Sequence, residues 1–169
     1  MKKLISFILF QAVWFLCIYG AAYEYELLAV SLGLICIVVN LFLTDDIKGN
    51  AKLIIQGVLI GIVVDTLLIH LGLMSFKTQY WTFVSPLWMW VLWAGLASTV
   101  NVSLSWLKPH LLLSALMGGF FAPLSYWAGV RMGAGTFNNV YLSLAGIGVM
   151  WAVATPLLLH ISKQDRLPG

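Results

Sequence analysis

Apolar positions fill this chain in blocks of membrane-spanning length separated by short polar links, which predicts an all-α fold, a polytopic transmembrane helix bundle of about six helices. The first block covers residues 4–21, about 27 Å of helix, just enough to cross a bilayer. The second covers 27–43 and stops at the polar turn Thr44-Asp45-Asp46-Ile47-Lys48-Gly49-Asn50. A third runs over 53–74, a fourth over 86–106, a fifth over 111–130 and a sixth over 140–161, before the polar tail 162–169. Pro123 lies inside the fifth block, where its missing donor predicts a kink, and the glycines around Arg131 predict that this helix ends just beyond it. The link Tyr23-Glu24-Tyr25-Glu26 holds two acids and no base. Lys77, Tyr80 and Trp81, between the third and fourth blocks, fit an interfacial belt.

Composition removes the soluble alternatives. With 62% hydrophobic residues, 9% charged residues and a mean hydropathy of +0.98, the 169-residue chain falls far from a soluble domain, where about a quarter of residues are charged. One integral membrane domain, 1–169, accounts for the whole length. The net charge of +3 does not indicate a nucleic acid partner, because Lys and Arg sit at segment ends instead of forming a patch. Both termini in the cytoplasm would put Lys2, Lys3, Lys48, Lys52, Lys108, Lys163 and Arg166 inside and leave Lys77 and Arg131 outside, as the positive-inside rule asks. A bacterial inner (cytoplasmic) membrane is the expected location. The N-terminal segment imitates a cleavable signal peptide, but Gln11 and Trp14 interrupt its apolar run, and it is expected to be retained. Cys17 and Cys36 lie in apolar segments without CxxC spacing and read as small hydrophobes.

The candidate chemistry centres on Asp65, a carboxylate within an otherwise apolar block. Such a group costs roughly 2.5 to 3.5 kcal/mol on insertion scales, so it is expected to face protein or a wet cavity. On a helical wheel Gly57, Gly61, Asp65 and Gly72 share a stripe of about 80°. Small residues admit a neighbouring backbone, so the stripe should carry Asp65 into the bundle. Counted from the end of the block, Asp65 lies about 13 Å below the outer surface. One expectation is an outward-opening pocket with Asp65 at its floor, Arg131 at its rim and Tyr126, Trp88 or Trp93 as walls, to which Gln11 and Trp14, sharing a protein-facing side of the first helix, are added as candidate ligand-binding residues. Such a site suits an anionic headgroup beside an acyl or isoprenoid chain. The plainer alternative is that Asp65 bonds a Ser, Thr or Asn of a neighbouring helix and fixes the bundle, that Arg131 anchors a helix among headgroups, and that the tryptophans are interfacial. His70 lies about 140° from Asp65 on the same helix, which excludes a simple dyad. No HExxH, GxSxG or cluster of acids occurs, so no catalytic residue, metal site or cofactor is assigned, and an enzyme is the less favoured reading.

The blocks Phe10-Gln11-Ala12-Val13-Trp14-Phe15, Asp65, Pro86-Leu87-Trp88-Met89-Trp90-Val91-Leu92-Trp93, Ser103-Leu104-Ser105-Trp106-Leu107 and Pro123-Leu124-Ser125-Tyr126-Trp127-Ala128-Gly129-Val130-Arg131-Met132-Gly133-Ala134 together resemble a family of small proteobacterial inner-membrane proteins of unassigned function. The resemblance covers nearly the whole chain. It implies a six-helix membrane protein whose genes neighbour cyclopropane-type fatty acyl methyltransferases and related oxidoreductases, and it carries over no catalytic residue. The partner this favours is a membrane lipid or other amphipathic ligand, with membrane enzymes as further partners. A second reading is a small-solute carrier or substrate-capturing transporter subunit. The size is similar to that of vitamin-binding subunits of energy-coupling transporters, but their small-residue docking motif is missing from the first helix. An intramembrane enzyme and a purely structural subunit are the remaining readings.

Overall fold

The computed structural model describes residues 1–164, so Arg166 lies outside the described residues. Six helices make up the bundle: α1 (Lys2–Ala22), α2 (Glu26–Leu41), α3 (Ile47–His70), α4 (Leu87–Thr99), α5 (Leu111–Arg131) and α6 (Val140–Gln164). Two three-residue strands, β1 (Met74–Phe76) and β2 (Gly135–Phe137), pair antiparallel with Met74 opposite Phe137. Alternating helix direction puts the N-terminus, the 42–46 and 100–110 links and the end of α6 at one end of the bundle, called here the terminal end. The 23–25 link and both strands lie at the other, the hairpin end. Lys77 and Arg131 belong to the hairpin end, and the remaining described lysines to the terminal end.

Helices α1, α3, α5 and α6 are long and apolar enough to cross a membrane. Their outward faces carry leucine, valine and phenylalanine, for example Leu59, Val63, Leu116 and Phe120. In water each exposed square ångström of such surface would cost about 25 cal/mol, whereas lipid removes that cost.

The third helix begins and ends earlier than its apolar block. Asp46 caps it by accepting from the Gly49 N–H at 2.9 Å, which draws the polar turn into the first helical turn. Gly72, at φ +64°, ends it, so this glycine leaves the helical stripe that its spacing had suggested.

The fourth helix stops at Thr99, well short of residue 106. The hydroxyls of Ser98 and Thr99 donate back to the carbonyls of Gly95 and Leu96, each at 2.6 Å, and the N–H groups of Val102 and Leu104 both turn onto the Thr99 carbonyl. Asn101, Ser103 and Ser105 then continue as turns and a short 3-10 helix, Ser105–Leu107. At 13 residues, or about 20 Å, α4 is shorter than a hydrocarbon core of about 30 Å. Its position explains its composition. It packs against α1, α2 and α3, and no residue of it is exposed, so it is apolar on all sides.

Around α4, one core cluster toward the hairpin end joins Val13, Cys17, Trp88, Met89 and Ile147, and a second at the terminal end joins Leu53, Ala97, Leu107 and Leu158. The antiparallel pair α5 and α6 closes the bundle against α3.

Candidate functional site

Gly57, Gly61 and Asp65 follow one another at single-turn spacing on α3, and all three are buried against α4 or its neighbours. A β-carbon on Gly61 would lie 2.1 Å from Cγ of Trp93, so only glycine admits that indole. Lodged there, Trp93 donates its Nε1–H to Asp65 Oδ2 at 2.8 Å. Tyr126, one helix further on in α5, donates its hydroxyl to Asp65 Oδ1. Trp151 of α6 stacks on Trp93 at 4.3 Å and meets Tyr126 edge-on at 6.2 Å. Asp65 is 0% exposed, and each oxygen has its own donor from a different helix. The arrangement ties α3, α4 and α5 together and gives the carboxylate the partners that burial demands.

Tyr126 and Trp93 therefore do meet Asp65. None of the other expected site residues hydrogen-bonds Asp65. Trp14 donates to Ser125 Oγ at 2.8 Å, and Trp88 donates to the Lys77 carbonyl at 3.2 Å and sets its edge against Phe76. Trp14, Trp88 and Tyr126 line a cavity of about 30 Å³, room for a single water. Gln11 is half-buried on α1. Arg131 is exposed, with its guanidinium 5.9 Å from the centre of the Trp127 ring, and forms no ion pair with Asp65 among the described residues. Because α3 ends at His70, Asp65 lies about 7.5 Å below the helix end, shallower than its apolar block had suggested.

A second group of residues gathers where α1 passes into α2. Gly20 lies against Ala29, close enough that a β-carbon would fall 2.3 Å from that of Ala29. This clamps the start of α2 to the end of α1 and forces the turn between them through Glu24 at φ +66°. Glu26, the first residue of α2, is consequently pushed beneath the 77–80 segment and the start of α4, where it is 2% exposed. Tyr80, Thr78 and the backbone N–H of Trp88 approach its carboxylate. None closes a hydrogen bond of normal geometry, and both oxygens are left without a partner. The Glu26 charge in turn raises the Tyr80 phenol above its ordinary value. Thr78, at φ +55°, is the other non-glycine residue of the described chain in the left-handed region. Such conformers cost on the order of 1–3 kcal/mol each.

Glu26 borders an open cleft of about 550 Å³ lined also by Glu24, Tyr25, Leu28, Lys77 and Tyr80. The Lys77 ammonium is drawn to the end of α1, where it donates to the Ala22 carbonyl at 2.6 Å. Tyr25 and Leu28 also line a second, apolar groove of about 530 Å³ that runs down the outside of α1 and α2. One wall of it is a ladder of rings on α1, with Phe15 stacked on Tyr19 and Tyr19 on Tyr23. Leu28 and Leu32 of α2 form the other wall. Each volume falls within the roughly 300–1,000 Å³ of ordinary ligand sites. In the sequence, 23–26 reads only as a link, and its one signal is two acids at a helix boundary with no base beside them. Among the described residues, no three or more His, Cys, Asp or Glu side chains gather as a metal site would need.

The chain belongs to the family described as "Protein of unknown function (DUF2878)", whose match covers residues 3–157. No curated protein and no solved structure matches it.

Proposed function

We propose that this member of the family is a non-catalytic membrane protein that binds an amphipathic molecule, a lipid in the first instance, at the hairpin end of the bundle. The observation that carries this reading is that the two cavities adjoin, with Tyr25 and Leu28 in the lining of both. An apolar groove on the outside of α1 and α2 adjoins a cleft that carries Glu24, Glu26 and Lys77, and a lipid has the same division of character along its length. The charge distribution of the termini and links favours the inner (cytoplasmic) membrane of a bacterium, with the cleft facing outward. Presenting the bound molecule to a lipid-modifying membrane enzyme is the extension of this role. Asp65, with Tyr126 and Trp93, serves here as the tie that holds α3, α4 and α5 in register beside the site.

Mass spectrometry of lipid retained through purification in mild detergent tests the proposal. Wild-type protein should keep about one lipid per chain, the stoichiometry of one groove joined to one cleft. Leu28→Trp, which fills the junction, should lose most of it. Leu116→Trp, on the exposed face of α5, should not. A wild-type protein without retained lipid, or equal losses in the two variants, would contradict the reading.

A further inference from the structure

Glu26 is a carboxylate that the fold buries and leaves incomplete. Its exposure is 2%, neither oxygen has a hydrogen-bond partner, and it lines the polar cleft. An ionised carboxylate accepts hydrogen bonds and donates none, so what this position lacks is a closed bond from an N–H or O–H donor, and a cation satisfies the charge as well. Tyr80, Thr78 and the Trp88 N–H approach it without closing a bond, and the cleft's lysine does not supply one, because its ammonium is engaged with the Ala22 carbonyl and forms no ion pair with Glu26 among the described residues. Glu24 places a second, exposed carboxylate on the same lining, and Tyr25 and Tyr80 add aromatic surface there.

Resting on the amphiphile reading above, we infer that the cleft recognises the primary ammonium of a zwitterionic phospholipid headgroup, with Glu26 accepting its N–H donors and the acyl chain following the apolar groove. A primary ammonium carries three donors, and Glu26 offers two oxygens in need of them. A trimethylated ammonium has the same charge and no donor. The cleft therefore separates ethanolamine from choline headgroups by hydrogen bonding, and both from a glycerol headgroup by charge. Lys77, at the same opening, supplies the charge opposite to the lipid phosphate.

The test is competition read by native mass spectrometry on the detergent-solubilised full chain. Phosphatidylethanolamine, phosphatidylcholine and phosphatidylglycerol with identical acyl chains are offered in equal amounts. The ethanolamine lipid should exceed each of the others by about tenfold, the factor that a charge-assisted hydrogen-bond contact supports. Glu26→Gln should bring the three lipids within about threefold of one another, by loss of the ethanolamine lipid. Glu24→Gln changes an exposed side chain, so it keeps the test alive should the Glu26 variant fail to fold, and it should reduce the preference by about threefold. Equal binding of all three lipids by wild-type protein, or an undiminished preference in either variant, overturns the amine inference and leaves the groove reading standing. Absence of any bound lipid overturns both. Displacement of the ethanolamine lipid by excess free ethanolamine overturns the lipid source in favour of a soluble amine.

Discussion

Asp65 and Glu26 are the two buried acids among the described residues, and they differ in what meets them. Asp65 lies among helices that were shaped to complete it: Gly61 makes room for Trp93, and Trp93 and Tyr126 each bring one donor to one oxygen. Glu26 lies where three segments converge without completing it, beside a cleft large enough for a ligand. A buried polar atom without a partner costs roughly 1–3 kcal/mol. The first arrangement spends its carboxylate on holding the bundle. The second leaves its carboxylate without a closed hydrogen bond, and two left-handed residues, Glu24 and Thr78, flank it. Depth in the membrane alone thus does not identify a binding group; the state of its hydrogen-bond partners does.

The contrast can be sharpened most strongly at Asp65. Asp65→Leu strands the Trp93 and Tyr126 donors in the interior and should destabilise the fold by about 2–3 kcal/mol, measured by thermal or denaturant unfolding in detergent, with Asp65→Asn losing less. An unchanged transition for Asp65→Leu would break the comparison at its satisfied end. Gly61→Ala should come next, at about 1–2 kcal/mol, because the added methyl group forces Trp93 away from the carboxylate. Its signature is a shifted tryptophan emission, and tolerance of alanine would argue against the close approach of α3 and α4.

At the other site, Glu26→Gln should lower the Tyr80 titration toward the ordinary phenol value. The negative charge that disfavours tyrosinate is then gone. Alkaline difference spectra against a Tyr80→Phe background report this directly, and a Tyr80 titration that does not move would detach the phenol from Glu26. Arg131→Ala should do least. Its guanidinium rests on an exposed Trp127 ring, worth about 0.5 kcal/mol, and lipid retention should not change. A large loss of either would restore Arg131 to the role that its position in the sequence first suggested.

Much of this was legible in the residues. The block lengths specify six helices, and an acid one turn beyond two glycines specifies a carboxylate turned inward, whereas Tyr126 and Trp88 or Trp93 could be named only as walls of a pocket, not as the two donors that Tyr126 and Trp93 turn out to be. What could not be read depends on segments distant in sequence. The end of α4 at Thr99 comes from side-chain hydroxyls folding back on their own helix, which the apolar run through Val100, Val102 and Leu104 conceals. The strands β1 and β2 are three residues each and pair across about 60 positions of sequence, too short to show alternation. Glu26 looked like part of a solvated link, because its burial is imposed by the 77–80 segment and by the start of α4, some fifty to sixty residues later. Arg131, expected at the rim of a pocket above Asp65, lies instead over the Trp127 ring, and the two Asp65 oxygens are taken by Trp93 and Tyr126, contacts between helices that no local pattern announces.

The most direct test of the central contrast is a single set of melting curves on wild type, Asp65→Asn and Glu26→Gln, each in lipid-free detergent and with phosphatidylethanolamine added. Asp65→Asn should melt below wild type in both conditions and keep the full lipid-induced increase. Glu26→Gln should melt at or above wild type without lipid, since it removes an unsolvated charge, and should lose most of that increase. A Glu26→Gln protein that melts as low as Asp65→Asn in plain detergent, and is stabilised by the lipid as much as wild type, would show that both carboxylates do the same structural work and would contradict the account.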